Sequence, residues 1–235
     1  DLIVHSDLVA SLLSARGIQT QEEAARFIAP DYERDSHDPY LLKDMDRAVT
    51  RIIAATEAKE HIVIYSDYDM DGIPGAVALG DFFKKIGYKN YTHYIPHRNR
   101  EGFGLNILAI EQLSAQGANV IITIDHGIGA VKEVQHAQEL GIDVIITDHH
   151  LPHDPPAGGL PPAFAVIDHK RADCTYPEKI LCGAGMAFKL VQALVRSGHW
   201  DIPAGWEKWL LDMVGMATIA DMVPLTGENR MLAYY

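Results

Sequence analysis

Four short apolar runs in this chain of 235 residues each lead into an aspartate. The runs and their aspartates are 61–65 with Asp67, 120–124 with Asp125, 142–146 with Asp148, and 163–167 with Asp168. Runs of this length without polar alternation are typical of strands buried on both faces of a parallel sheet. Ligands bind at the carboxyl ends of such strands. The four aspartates are therefore expected to converge, and a metal ion suits their charge.

Segments with helical periodicity alternate with these strands. Helices are predicted over 46–59, 74–86, 105–116, 130–140, 184–197 and 207–220, a short strand over 91–95, and a Pro- and Gly-rich loop over 151–162. Repeated strand–helix units produce a parallel sheet with helices on both faces. The predicted fold class is therefore α/β, with a small helical segment before the sheet.

The helical segment is predicted to span 1–58, and a catalytic domain 59–235. Asp7 is placed to cap a helix over 8–15, and Thr20 with Glu23 form the capping box of a second helix. Residues 31–43 are polar and contain proline, which predicts a linker.

Composition narrows the function classes. The formal net charge of −12 argues against polyanion binding by the whole surface, while it permits a local basic groove. No apolar run approaches the roughly 20 residues that span a bilayer, and the first residues lack the features of a signal peptide. Cys174 and Cys182 predict free thiols in a reducing cytosol. A cytoplasmic protein without a membrane partner is expected.

The first aspartate opens an acidic triplet of Asp67, Asp69 and Asp71. The spacing matches the first half of an EF-hand loop, but the twelfth position is Ala78 instead of Glu, and a strand precedes the loop. A strand–helix turn with an acidic helix cap is the simpler alternative. Three carboxylates within five residues repel one another unless a cation lies between them, which favours a metal site.

Two histidines follow the third strand-end aspartate directly, as Asp148-His149-His150. An imidazole ligand and a second donor at a strand end favour a metal or catalytic role over a structural one. Asp125 precedes a His-Gly-Ile-Gly turn that lets the backbone approach a ligand, although such a turn is equally typical of a helix cap. Asp221 follows an apolar helix and alone indicates only a helix end.

Together these residues describe a candidate centre for two metal ions. Its predicted ligands are Asp67, Asp69, Asp125, His149 and Asp221. Carboxylates with an imidazole suit Mn²⁺ or Mg²⁺ better than a thiolate-preferring metal. A carboxylate shared by two ions about 4 Å apart would place them to lower the pKa of a bridging water and to stabilise charge on phosphoryl oxygens. The residues therefore indicate phosphoryl chemistry.

Two further pairs are candidates for binding a phosphate-containing substrate. Arg98 and Arg100 follow the short strand and could bind phosphates bidentately, with a solvated loop as the alternative. Gly183 and Gly185 open a helix whose N-terminal amides could receive a phosphate. Close packing of that helix on the sheet explains the two glycines equally well.

The chain resembles the DHH phosphoesterase superfamily, which is named for the triplet seen here as Asp148-His149-His150, and within it the RecJ family of single-strand DNA exonucleases. The resembling segments are 12–30, 37–45, 66–72, 96–98 with 102–104, 125–128, 181–190 and 220–230. Two positions depart from the family pattern. Tyr65 stands where members commonly carry His, and His126 where they usually carry Cys.

The resemblance implies a metal-dependent exonuclease that degrades single-stranded DNA from 5′ to 3′, with Mn²⁺ or Mg²⁺, in DNA repair and recombination. It implies that the five predicted ligands hold the metals, that His150 contacts the scissile phosphate and that Asp148 orients the site. Its implied partners are single-stranded DNA and, as further candidates, single-strand-binding or other replication and repair proteins.

Two alternatives stay open. RecJ proteins continue into a second, substrate-binding domain, which is expected to be absent from a chain that stops at Tyr235. A phosphodiesterase for oligo- or dinucleotides is then the first alternative, because long strands need an extended groove. A non-catalytic RecJ-like scaffold is the second, and the departure at Tyr65 keeps it open.

Overall fold

A parallel sheet forms the centre of the molecule, in a computed structural model that describes residues 6–152 and 159–235. Its strands are β1 (His61–Ser66), β2 (Tyr91–Tyr94), β3 (Ala118–Ile124), β4 (Asp143–Thr147) and β5 (Ala165–Ile167). They are ordered β2-β1-β3-β4-β5, and every neighbouring pair is parallel. The strands lie within two residues of their predicted bounds. Residues 1–5 of the predicted leader and 153–158 of the predicted loop lie outside the described residues.

Helices cover both faces of the sheet, so the predicted α/β class is confirmed. They are α1 (Asp7–Ser14), α2 (Gln21–Ile28), α3 (Tyr32–Asp35), α4 (Met45–Ala58), α5 (Gly72–Lys85), α6 (Ile107–Ala115), α7 (Val131–Glu139), α8 (Gly183–Arg196), α9 (Leu211–Ala220) and α10 (Gly227–Tyr234). Short 3₁₀ turns form over Pro39–Leu41 and Trp206–Leu210. Among the described helices, none combines the length and apolarity that a membrane span requires.

The alternation of side chains along β1 divides the interior into two cores. Ile62 and Ile64 face a core built with α4, α5, α8 and α9, whereas Val63 and Tyr65 face a core built with α6 and α7. Both faces of the strand are therefore buried, which explains why its sequence is apolar without alternation.

The N-terminal helices form as predicted, and the capping box of Thr20 and Glu23 is present. Met45, Ala48 and Ile52 of α4 are fully buried in the same core as the sheet. Helix α4 thus packs as part of the α/β core, and the division of the chain at residue 58 stays a prediction.

The predicted linker over 31–43 is wrong, because this segment contains α3, a 3₁₀ turn and buried side chains. Tyr32 is buried and its hydroxyl donates to Glu207 at 3.2 Å while it accepts from Gln192 at 2.7 Å. The segment is ordered by polar partners that lie far away in the sequence. The predicted helix over 207–220 is divided into a 3₁₀ turn and α9, and α10 was not predicted.

A buried ion pair joins this segment to α8 and α10. Lys189 and Glu228 are both fully buried and paired. Lys189 Nζ also donates to the carbonyl oxygen of His37 at 2.8 Å and to Ser36 Oγ at 3.2 Å, and the Tyr176 hydroxyl donates to Glu228. One network therefore connects the N-terminal segment, α8 and the last helix.

The strand order places a topological switch point between β1 and β3, where crossovers leave toward opposite sides of the sheet. A crevice opens at the carboxyl ends of strands at such a point. Asp67 follows β1 and Asp125 follows β3, so these two carboxylates lie at the crevice.

Candidate metal centre

The strand-end aspartates are buried together at the carboxyl edge of the sheet, as expected from their positions. Asp67, Asp125, Asp148 and Asp168 are each at most 3% exposed. Asp125 adopts a left-handed backbone conformation, with φ of 67°. Such a conformation is uncommon for residues other than glycine and is concentrated at functional sites.

Three overlapping groups of donor atoms among the described residues could hold cations, with the atoms of each group within 4.8 Å of one another. The groups are Asp67 with Asp69 and Asp125, Asp125 with His149 and His150, and Asp71 with His149 and Asp221. The five residues predicted as ligands all occur in these groups. Asp125 and His149 each belong to two groups, which is the arrangement that two neighbouring ions require.

Asp71 belongs to this cluster although it was not among the predicted ligands. Its carboxylate accepts hydrogen bonds from the backbone amides of Gly183 at 2.6 Å and Ala184 at 2.7 Å. Its Oδ2 lies 3.6 Å from His149 Nε2. The third position of the acidic triplet was the only sequence signal for this residue.

The donor atoms fit a cation because several of them are buried and unpartnered. Asp67 Oδ1, Asp125 Oδ1 and His149 Nδ1 have no hydrogen-bond partner in the part of the chain that the structure describes. His149 Nε2 lies 3.1 Å from Asp125 Oδ1 without hydrogen-bond alignment, and His149 Nδ1 lies 3.8 Å from Asp221 Oδ2. Buried polar atoms without partners are rare, so three of them within the overlapping donor groups fit a bound cation.

Electrostatics at the cluster also favour a bound cation. Burial, with added repulsion from Asp71 and Asp69, raises the pKa of Asp125 to about 9. Burial likewise raises the pKa of Asp67 and Asp71 above the usual range. These carboxylates therefore resist ionising together, and a divalent cation between them would remove the conflict.

Asp148 organises the turn that carries the two histidines. Its Oδ1 accepts from the His149 amide at 2.7 Å and lies 2.8 Å from His150 Nδ1, while its Oδ2 accepts from the Ile128 amide at 2.9 Å. Burial acts to raise the pKa of Asp148, but hydrogen bonding from His150 holds it below the usual range. The same contact raises the pKa of His150 to about 9. His150 is thus a half-exposed cation beside the cluster.

The amides at Gly183 and Gly185, which were predicted to receive a phosphate, both have hydrogen-bond partners within the protein. The Gly183 amide is bonded to the Asp71 carboxylate, and the Gly185 amide donates to Cys182 Sγ at 3.4 Å. Gly183 instead permits close packing, because a Cβ atom there would lie 2.5 Å from Asp125 Oδ1. The amides at the N-terminus of α8 therefore bind a carboxylate of the protein itself, that of Asp71.

Gly183→Ala is expected to abolish high-affinity Mn²⁺ binding, because the added methyl group displaces Asp125. Gly185→Ala is the matched control on the same helix, since a Cβ there would meet Leu181 at 3.4 Å, an ordinary contact distance. Calorimetric titration with Mn²⁺ compares the two variants. Equal affinity of both for Mn²⁺ would contradict the packing role of Gly183.

The two departures from the family pattern lie beside the cluster. The Tyr65 hydroxyl donates to the carbonyl oxygen of Gly104 at 3.1 Å and accepts from Asn106 at 3.2 Å. His126 is buried with its Nε2 3.0 Å from the carbonyl oxygen of Tyr65, and it is not in any donor group found among the described residues. Both side chains therefore support β1 and its neighbouring loop.

The predicted arginines lie on the loop after β2, where both are exposed. Arg98 stacks over the Tyr68 ring at 5.3 Å, and Tyr68 contacts Phe103 edge-on at 6.5 Å. Phe103 in turn contacts the His150 ring at 6.5 Å. The rings of Tyr68, Phe103 and His150 thus form a line from Arg98 to the donor groups. Arg100 lies further along the loop.

Comparison with known proteins decides the family. The sequence profile described as "DHH family, N-terminal domain" matches residues 61–218, the part of the chain that contains the sheet and most of the donor cluster. This chain belongs to the DHH family. The resemblance to RecJ extends over nearly the whole chain. The single-stranded-DNA-specific exonuclease RecJ of Bacillus subtilis is 42% identical over 226 residues, which cover 96% of this chain and 27% of that protein.

Two solved RecJ structures resemble this fold. The crystal structure of exonuclease RecJ bound to manganese has a TM-score of 0.71 and 31% identity, covering 81% of this chain and 46% of that one. RecJ of Thermus thermophilus in complex with Mn²⁺ has a TM-score of 0.73 and 28% identity, covering 95% of this chain and 29% of that one. The chain spans well under half the length of the curated relatives it matches.

Proposed function

We propose that this chain is the catalytic part of a metal-dependent exonuclease that hydrolyses single-stranded DNA from the 5′ end. The observation that carries the proposal is the set of three donor groups that share Asp125 and His149. The manganese-bound relatives support Mn²⁺, and carboxylates with an imidazole suit Mn²⁺ or Mg²⁺. The residues that would hold the ions are Asp67, Asp69, Asp71, Asp125, His149 and Asp221.

Cations bound there would stabilise negative charge on phosphoryl oxygens and make water a better nucleophile. The protein's own groups do the remaining work. Asp125 would be shared between the two positions, and it adopts a left-handed backbone conformation there. His150, cationic through Asp148, would donate a hydrogen bond to an oxygen of the scissile phosphate. Asp148 would orient both histidines, because it accepts from the His149 and His150 amides and lies beside His150 Nδ1.

The line of rings beside the cluster suits a single strand with exposed bases. Phe103 is 58% exposed, which leaves its face available for stacking on a base. Arg98 would bind a backbone phosphate next to the stacked base, with Arg100 contributing from the same loop. Stacking on an aromatic face is tolerant of base identity, as a general exonuclease requires.

Arg98→Ala is expected to weaken binding of single-stranded DNA by roughly tenfold while Mn²⁺ affinity stays unchanged, because Arg98 stacks on Tyr68, would bind a phosphate of the strand, and offers no ligand atom to a metal. Fluorescence anisotropy with a labelled oligonucleotide in Ca²⁺ and calorimetry with Mn²⁺ measure the two affinities. Arg16→Ala, at an exposed arginine in the N-terminal helical segment, is the control. Equal loss of DNA and metal binding would mean that Arg98 is structural.

The proposed activity is tested on single-stranded oligonucleotides labelled at either end, with Mn²⁺ or with EDTA. Mn²⁺-dependent release of mononucleotide that is stopped by blocking the 5′ end, and not the 3′ end, is the expected result. Cleavage of a dinucleotide alone would instead identify a small-substrate phosphodiesterase. Binding of DNA without cleavage of either substrate would identify a scaffold.

The wider role follows from the same proposal. A 5′ exonuclease of this kind would act in the cytoplasm in DNA repair and recombination, where single-strand-binding and other replication or repair proteins are its candidate partners. Within the chain, 1–58 would serve as the helical leader and 59–235 as the catalytic domain.

A further inference from the structure

The pair Asp168-His169 follows β5 directly, next to the cluster but outside the donor groups found among the described residues. Both side chains are fully buried. Asp168 Oδ1 accepts from the Lys170 amide at 2.7 Å, whereas Asp168 Oδ2 and His169 Nδ1 have no hydrogen-bond partner in the described ranges. Burying a polar atom without a hydrogen bond costs folding free energy, so these two atoms call for an explanation.

The other ring nitrogen of His169 reaches the segment that holds Asp71. His169 Nε2 lies 3.1 Å from the carbonyl oxygen of Leu181, and this nitrogen must carry the proton because a carbonyl oxygen only accepts. Leu181 lies two residues before Gly183, where the amides that bind Asp71 begin. His169 therefore connects the end of β5 with the segment whose amides bind the Asp71 carboxylate.

The same segment also packs directly against the Asp125 side chain. A Cβ atom at Gly183 would lie within 2.5 Å of the Asp125 side chain, so no spare room separates them. A shift of the 181–184 backbone by a few tenths of an ångström would consequently move Asp71 and disturb Asp125 together. Asp125 belongs to two of the three donor groups and Asp71 to the third, so such a shift would affect every group.

Asp168 is placed to fix the orientation of the histidine. With the proton on Nε2, the Nδ1 lone pair of His169 faces Asp168 Oδ1 at 3.7 Å. Burial raises the pKa of Asp168 to about 7 and lowers that of His169 to about 4. A protonated carboxyl group beside a neutral ring is thus accessible near neutral pH, and it can donate to Nδ1 after a small rotation. A hydrogen bond at Nδ1 would fix the ring orientation of His169, because the contact at the second ring nitrogen sets how a histidine is held.

We propose that His169 is a positioning residue for the metal centre, which acts through Leu181 on Asp71 and Asp125 and whose ring orientation is fixed by Asp168. The inference rests on the proposed function, because it takes Asp71 and Asp125 to be metal-binding residues. It adds two residues that touch neither metal nor substrate.

The test is Mn²⁺ affinity of the whole chain, measured by calorimetry without DNA. His169→Leu keeps the buried volume but removes both ring nitrogens, and its affinity is expected to fall about 10- to 100-fold, as for other residues that orient metal ligands. His169→Gln, whose amide can donate to the Leu181 carbonyl oxygen, is expected to recover most of the loss. Asp168→Asn is expected to bind normally and Asp168→Leu weakly, since only asparagine can donate to Nδ1.

Gln192→Leu is the matched control. Gln192 is fully buried in α8 and donates to the Tyr32 hydroxyl at 2.7 Å, so the variant also loses a buried hydrogen bond. It is expected to unfold at a lower temperature with unchanged Mn²⁺ affinity. Where His169→Leu does not fold, the two Asp168 variants provide the comparison.

Two results would overturn the inference. One is wild-type Mn²⁺ affinity in His169→Leu or Asp168→Leu, and the other is a His169→Gln variant no better than His169→Leu. Failure of the unmodified chain to bind Mn²⁺ is a separate outcome. It would overturn the proposed metal centre, and this inference with it.

Discussion

Replacing Asp125 with alanine is expected to abolish Mn²⁺-dependent hydrolysis of single-stranded DNA while the fold stays intact. Asp125 is shared by two donor groups, so its loss affects both proposed metal positions. Residues that only orient ligands already change affinity or activity about 10- to 100-fold, and a shared ligand should exceed that range. Burial raises the pKa of Asp125 to about 9, so removing its carboxyl group relieves an electrostatic conflict in the metal-free protein.

The backbone at this position calls for a second variant. Asp125 has a φ of 67°, where alanine is disfavoured but asparagine is tolerated. Asp125→Asn therefore removes the charge without backbone strain, and thermal unfolding in EDTA checks that both variants fold. Initial rates at saturating Mn²⁺ give the comparison. Retention of more than about a tenth of the wild-type rate by either variant would contradict the shared role.

Lys189→Met is expected to lower the free energy of unfolding by about 3–5 kcal/mol, because it leaves Glu228 buried without its cation. Both partners are fully buried, and burial lowers the pKa of Lys189. The remaining donors to Glu228, which include the Tyr176 hydroxyl and the His37 amide, satisfy hydrogen bonds without neutralising the charge. Urea denaturation measures the difference.

Two controls separate burial from the ion pair itself. The double variant Lys189→Met with Glu228→Gln removes both charges and is expected to be more stable than Lys189→Met alone. Lys84→Met removes an exposed partner of Asp81 at 2.8 Å and is expected to cost less than about 1 kcal/mol. A Lys189→Met variant no less stable than Lys84→Met would show that the buried pair contributes little.

The part of the centre built on strand ends was predictable from the sequence. Asp67, Asp125 and His149 follow β1, β3 and β4, and parallel strands bring their carboxyl ends to one edge whatever the details of packing. Asp221 follows α9 instead, and by itself it indicated only the end of a helix. The position of a helix relative to the sheet depends on packing that periodicity does not encode.

The features that sequence missed depend on partners far apart in the chain. Asp71 is held by amides 112 and 113 residues away, so the sequence does not indicate that the α8 N-terminus binds a carboxylate of the protein itself. The 31–43 segment was predicted as a linker because it is polar, and it is ordered because its partners Glu228 and Gln192 are buried beside it. Polar composition alone does not distinguish a solvated loop from a satisfied buried network.

The most direct test of the central claim is an anomalous diffraction measurement on crystals of this chain grown with Mn²⁺. The account predicts two neighbouring anomalous peaks, one on either side of Asp125, within coordination distance of the carboxylates and His149 of the donor groups. Absence of a peak at this cluster, at an Mn²⁺ concentration that supports hydrolysis, would contradict it. Peaks bound only at other surfaces of the protein would contradict it equally.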